Sequence, residues 1–183
     1  YAVFVGVMLN IGLYLRQAAQ LHLAQLVQER GGPLIERPLR DRSGEEKAMF
    51  LQVEGNLFFA NADALDDELT SLTQSDVQVV ILRLKRTHNV DATVMTVLEQ
   101  FVDRMHNKGG HVLLCGVKHE LHDRLRAYGL VDRVGEDNVF LSQSGIFTSA
   151  KQAVRRAREI VGSSIDEEDL FEEPNPPQPV TGA

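Results

Sequence analysis

The first fifteen residues, Tyr1–Leu15, carry no charged side chain, and the first charge is Arg16. At 1.5 Å per residue a helix of that length reaches about 22 Å, short of the roughly 30 Å hydrocarbon core of a bilayer. Such a run is either part of a membrane span or a packed helix of a soluble core. A signal peptide would set Lys or Arg ahead of the run and a small-residue cleavage site behind it, whereas here the first base follows. Residues 1–16 are therefore expected to be the end of a transmembrane helix, with a buried core helix as the alternative. Arg16, Arg37, Arg40, Arg42 and Lys47 cluster after the run, and bases beside a span favour its cytoplasmic side. The remainder is expected to face the cytoplasm beneath a cell membrane.

Composition downstream is that of one soluble domain of ordinary size, with 43% hydrophobic and 25% charged residues. The net charge of −7 is local. Seven of the 26 acids stand from Glu159 onward, where there is no Lys or Arg, leaving 19 acids against 19 bases in residues 1–158. A neutral body without a basic stripe argues against a nucleic-acid partner, since phosphate contacts supply most of that affinity. Cys115 is the single cysteine. It excludes an internal disulfide, and within Val112–Gly116 it reads as apolar filler of a buried strand.

Four segments are expected. After the span end at 1–16, helical spacing runs on from Gln17 to Leu26. Glu29-Arg30-Gly31-Gly32-Pro33 then breaks it, and residues 17–47 read as a linker holding a short strand at Leu34–Leu39. From 48 to 161 strand and helix signals alternate. They give strands at Met49–Gly55, Asn56–Ala60, Val77–Leu84, Val112–Gly116 and Asn138–Leu141, and helices at Ala62–Leu72, Val94–Met105, Glu120–Tyr128 and Ser144–Val161. The class is α/β, a mixed sheet covered by helices. Residues 162–183, acidic and proline-rich, read as a disordered tail. On this division 48–160 folds alone and 1–47 is dispensable.

Enzymatic signatures are scarce. Gly31-Gly32 and Gly109-Gly110 lack the spacing of a phosphate cradle and read as turns. His119 and His122 lie three apart on one helix without an evident third ligand, so no metal and no cofactor is expected. His106 and His111 read as surface residues, and Ser142-Gln143-Ser144 as a helix N-cap. The most informative stretch is Arg83–Thr93, read as a loop from Lys85 to Val90 leading from a buried strand into a helix N-terminus, where open α/β sheets place ligands. Its candidate contact residues are Lys85, Arg86, Thr87, His88, Asn89, Asp91 and Thr93. The basic ones suit an anion or an acidic partner surface, and Asp91 equally suits a plain helix cap.

A family resemblance completes the reading. Val53-Glu54-Gly55-Asn56-Leu57-Phe58-Phe59-Ala60-Asn61-Ala62, Val79–Leu82, Asn89-Val90-Asp91-Ala92-Thr93, Gly109–Val117 and Gly129-Leu130-Val131 together resemble a STAS domain over roughly 48 to 160. The Gly-x-Leu-Phe-Phe-Ala-Asn-Ala stretch resembles the STAS domains that end SulP-type anion transporters, and Tyr1–Arg16 fits the end of their last span. Free anti-sigma-factor antagonists of the same fold carry Asp-Ser-Ser/Thr-Gly at the helix entrance, with the first Ser phosphorylated. Here that acceptor position is Ala92 and Val94 replaces the Gly, so phosphate-driven partner switching is the alternative rather than the first reading. The resemblance implies a non-enzymatic module that braces a homodimer or biases transport of sulfate, bicarbonate or a similar anion. Its partner would be the membrane domain of the same polypeptide, and its loop would accept a nucleotide or an acidic carrier protein, as some transporter STAS domains allow.

Overall fold

The run of β-branched and leucine residues that begins at Val79 lies at the centre of the protein, with residues 79–84 all buried. A computed structural model describes residues 2–18, 22–28, 34–38, 47–57, 59–143 and 148–162. In chain order these form helix α1 (Ala2–Ala18), strands β1 (His22–Gln28), β2 (Leu34–Pro38) and β3 (Ala48–Leu57), helix α2 (Phe59–Thr73), strand β4 (Val79–Val90) and helix α3 (Ala92–Asn107). Strand β5 (His111–Val117), helices α4 (His119–Ala127) and α5 (Leu130–Val134), a 3-10 turn (Glu136–Asn138), strand β6 (Val139–Leu141) and helix α6 (Thr148–Val161) follow. The six strands make one sheet in the order β2-β1-β3-β4-β5-β6. Strands β3 to β6 are parallel, and β1 runs antiparallel to both β2 and β3. The expected mixed sheet under helices is thus the observed architecture.

Alternation along β4 builds two cores. Val80, Leu82 and Leu84 point to one face, where they meet Leu65 and Leu69 of α2, Phe101 and Met105 of α3, and Leu125 of α4. Val79 and Ile81 point to the other, where Phe50, Leu113 and Cys115 join Ala150, Ala153, Val154 and Ala157 of α6. Three alanines on the inward stripe of α6 let that helix sit close to the sheet. A strand covered on both faces has no room for the polar alternation of a half-wet strand, which is why this run is apolar at every position but Arg83. At the far end of α3, Gly109 takes φ +78° and supplies the expected stop.

Four expectations need correction. The helical spacing of Gln17–Leu26 does not continue as helix, because α1 ends at Ala18 and β1 begins at His22. Backbone pairing decides that segment, with His22 opposite Glu54 and Gln25 opposite Leu51, so the free edge of β3 gains a partner. The linker at 17–47 accordingly contributes two strands to the sheet, the short one expected at Leu34–Leu39, observed as Leu34–Pro38, and the unexpected β1. Asn56–Ala60 is not a separate strand. Asn56 and Leu57 finish β3 and Phe59 opens α2, with a register irregularity between Gly55 and Leu57.

The loop at Lys85–Val90 is strand as well, the second half of β4, because β3 runs far enough to pair it: Glu54 faces Arg86, Gly55 faces Thr87 and Leu57 faces Val90. Finally, α5 and the 3-10 turn had no expectation. Helix α5 lies between Gly129 (φ +77°) and Gly135 (φ +90°), with Leu130, Val131 and Val134 buried, and the 3-10 turn follows Gly135. Residues 144–147, including Ile146 and Phe147, the turn at 29–33 and the tail at 163–183 lie outside the described residues.

Leu82 is 1% exposed in the larger core. Leu82→Asp is expected to cost about 4 kcal/mol or more by burying an unpaired charge. Gln100→Asp, on the exposed side of α3, should cost within about 1 kcal/mol. Chemical denaturation of the two variants checks this, and equal losses would mean that β4 is not central.

The junction of β4 with α3 as a candidate contact site

Asp91 ends the strand and begins the helix. Its backbone N–H donates to the Leu57 carbonyl at 3.1 Å, tying the junction to the end of β3. Its Oδ1 accepts from the Val94 N–H at 3.0 Å, and its carbonyl accepts from the Met95 N–H at 3.0 Å. Asp91 with φ −90° and ψ 175° is thus an N-cap, satisfying a helix-end donor and placing a carboxylate at the positive end of the helix dipole. Ala92 and Thr93 are exposed on the first turn of α3. The exposed hydroxyl there belongs to Thr93, since Ala92 offers none.

The remaining candidates lie along β4, and they are engaged with the sheet. Arg86 is exposed and its Nη1 donates to Glu54 Oε1, an oxygen that also accepts from Gln52 Nε2. Arg83 Nη1 in turn donates to Gln52 Oε1 at 2.5 Å. These four side chains form a polar row across β3 and β4, on the face shared by Phe50 and Ile81, because Phe50 pairs with Ile81 and Gln52 with Arg83 in the same register. Gln52 and Arg83 are buried, and their mutual bond offsets part of the desolvation cost that either alone would carry. The outer pair, Arg86 with Glu54, is solvent-exposed and stabilises by at most about 1 kcal/mol.

Thr87 is buried and its hydroxyl donates to the Val53 carbonyl at 3.3 Å. Lys85 is half-buried and flanks Gly116, where an added Cβ would fall 2.9 Å from the Lys85 Cβ. Gly116 also has φ +68°, so only glycine lets β4 and β5 approach there. His88 and Asn89 belong to β4 by backbone, and their side chains lie outside the description. The structure therefore gathers Asp91 and Thr93 at the helix entrance and strings Lys85, Arg86 and Thr87 along the ladder.

Sequence reading missed Gln52 and Glu54 as partners of this stretch, the engagement of Arg83 within it, and Arg124 of α4, whose Nη1 donates to the Val90 carbonyl at 3.5 Å. Alternation of Gln52 and Glu54 within an otherwise apolar strand was the available signal. Elsewhere, His119 is exposed and His122 stands 3.8 Å from Asp123. Among the described residues no group of three or more His, Cys, Asp or Glu could hold a metal. His106 and His111 have rings 6.5 Å apart in an edge-on arrangement. Burial pushes the Cys115 thiol up to about 12, against the opposing pull of the nearby Arg83 charge.

This fold and this order of elements match known proteins. The STAS domain model matches residues 41–157, and the chain belongs to that family. A Mycobacterium tuberculosis protein named probable sulfate transporter Rv1739c is 30% identical over 103 residues, covering 55% of this chain and 18% of that protein. A solved sulfate transporter family protein from Wolinella succinogenes superposes with TM-score 0.54 and 27% identity, covering 68% of this chain and 95% of that one. The murine Solute Carrier 26 family member A9 anion transporter, solved in its inward-facing state, matches with TM-score 0.63 and 19% identity over 87% of this chain and 26% of that one. That last likeness is one of fold. The chain spans about a fifth of the length of the curated relatives it matches.

Two outcomes are expected at this site. Asp91→Ala should cost about 1 kcal/mol through loss of the cap, and Thr93→Ala within about 0.5 kcal/mol, both read by denaturation. The Cys115 thiol should be silent to thiol reagents until the protein is unfolded. Its pKa is raised in the folded state to about 12 from 9.0, so the folded protein holds the proton more tightly. Stability should be unaffected below pH 9 and fall as pH rises from there toward 12. Cys115→Val should flatten that alkaline fall, and rapid labelling of the native thiol would contradict the burial.

Proposed function

We propose that this chain is the cytoplasmic STAS end of a SulP-type secondary transporter of inorganic anions, joined to its membrane domain through α1. The observation that carries this reading is α1 itself. Val3, Phe4, Val5, Val7, Met8, Leu9 and Ile11 are between 48% and 78% exposed, all along one helix. Apolar surface in water costs about 25 cal/mol per Å², and a helix apolar on every side belongs in a membrane or a large core. None of the described helices is long and apolar enough to cross a membrane. The 17 residues of α1 reach about 25 Å, so α1 would supply part of a span rather than a whole one.

Two further observations support this reading. The fold likeness to the murine anion transporter covers 87% of the chain, more than residues 41–183 could provide. The curated relatives carry sulfate transporter names, which makes sulfate the first anion to test and bicarbonate the second. The module itself binds and braces rather than catalyses. Its partners are the membrane domain of the same polypeptide and a second copy of it, and the entrance of α3 with Lys85 and Arg86 is the surface we assign to a regulatory contact with a nucleotide or an acidic carrier protein. Regulation by such a contact requires that it favour one transporter state over the other.

In the full-length transporter reconstituted in vesicles, Lys85→Glu with Arg86→Glu is expected to change sulfate uptake several-fold at matched protein level. Its melting should stay within a few degrees of the parent. Unchanged rate and affinity would reduce this surface to part of the sheet and leave bracing as the role. For the anchor, the 183-residue chain should need detergent to stay monodisperse, whereas Phe4→Asp with Met8→Asp and Leu9→Asp should relieve that need. A parent chain monodisperse without detergent would contradict the membrane reading.

A further inference from the structure

Asn10 is the one side chain from Ala2 to Leu13 that carries a polar group. It stands midway along α1 and is exposed. Arg16, the first charge, follows six residues later, about 9 Å along the helix axis. With α1 in the membrane as proposed above and Arg16 at the surface, the Asn10 amide lies about 9 Å inside a hydrocarbon layer about 30 Å thick. Lys and Arg escape from such depths by extending their side chains to the interface, whereas asparagine is too short to follow.

Nor can α1 satisfy the amide by itself. The backbone N–H groups around Asn10 close the helical ladder, so its Oδ1 needs a donor from another element. Left in lipid without one, it would oppose insertion. Sequence spacing gives the side from which that donor comes. Val3, Gly6 and Asn10 stand at i, i+3 and i+7 and share one side of the helix. Phe4, Val5, Met8 and Leu9 line a shallow apolar surface on the other. A Cβ added at Gly6 would meet nothing within 4 Å, and Gly6 is not left-handed. Neither packing among the described residues nor backbone conformation therefore calls for glycine there, and glycine weakens a helix relative to alanine. Close approach of a second membrane helix does call for it.

We infer that α1 packs through its Val3–Gly6–Asn10 side against a neighbouring transmembrane helix, which approaches closely at Gly6 and donates a side-chain N–H or O–H to Asn10 Oδ1. This packing presupposes the membrane placement of α1 proposed above and adds a direction to it. Phe4, Val5, Met8 and Leu9 face lipid, and the Asn10 side faces the membrane domain of the same polypeptide. Serine, threonine, asparagine or glutamine at the matching depth of that helix supplies the donor. A second copy could answer Asn10 only with its own Asn10 on a two-fold axis, whereas a membrane domain offers several helices at that depth.

Spin labelling of the full-length transporter in lipid vesicles tests this, with nitroxides placed one at a time by Val3→Cys and Val5→Cys. Other reactive cysteines are replaced and the buried Cys115 is left unlabelled. The two positions differ by about 3 Å in depth and lie on opposite sides of α1. Oxygen, which concentrates in lipid, should relax the label at position 5 several-fold more than the label at position 3, and a water-soluble nickel chelate should reach neither. Equal oxygen access would leave α1 in lipid with no packed side and overturn the contact. Nickel access at position 3 alone would put that side on an aqueous cavity, and dipolar broadening between the labels of two protomers would put a second copy there; either overturns it. Nickel access at both positions would refute the membrane placement itself. Asn10→Leu gives an independent sign. It should lower the melting midpoint of the reconstituted transporter by several degrees, whereas an Asn10 that faced lipid would give a rise.

Discussion

Parallel pairing of β4 between β3 and β5 is the constraint on which the other features rest. A strand with a neighbour on each side has all its backbone groups satisfied within the sheet, and a strand with a helical layer on each face must be apolar in both directions. Residues 79–84 meet that demand with one exception, Arg83. A buried guanidinium is tolerable only with a partner, and Gln52 on the adjoining strand provides it. From that bond the polar row continues outward through Glu54 to Arg86, so one buried charge explains why four polar side chains line up across two strands.

The same ladder aims α3. Leu57 and Asp91 are joined by a backbone hydrogen bond, so the end of β3 fixes the point at which β4 gives way to helix. The Asp91 cap then starts α3 there, and Val94, Leu98, Phe101 and Met105 fall on its inward stripe. The exposed first turn with Ala92 and Thr93 consequently starts at a fixed point of the ladder, where Arg124 of α4 also donates to the Val90 carbonyl. The exposed apolar helix α1 leads into β1, which pairs with β3.

Elements whose pattern is set by their own burial were legible in the sequence. The run Val79–Leu84, the stripe from Val94 to Met105 and the glycine stop after Lys108 all have one physical cause, local to the segment. Misread segments were those whose state depends on a distant partner. Lys85–Val90 is polar and reads as loop, yet it is strand because Glu54, Gly55 and Leu57 pair with it. Gln17–Leu26 has helical spacing, yet β3 pairs with its second half from His22 onward. The short α5 was invisible because a five-residue helix carries too little periodicity, its cause being two left-handed glycines. For the candidate site, the residue types were legible and their engagement was not. Arg86 looked like a free cation from sequence alone and is paired with Glu54 in the fold.

The strand state of the second half of β4 fixes Arg86, Thr87 and the entrance of α3 relative to the sheet. Hydrogen exchange resolved to single amides along residues 79–90 tests it most directly. Ladder-bonded amides from 85 to 90 should exchange slowly, within about tenfold of those from 79 to 84, apart from local speeding at the register irregularities opposite Gln52–Glu54 and Gly55–Leu57. Exchange of 85–90 at the rate of unstructured chain, beside a protected 79–84, would return that stretch to a loop and remove the rigid support proposed for the contact surface.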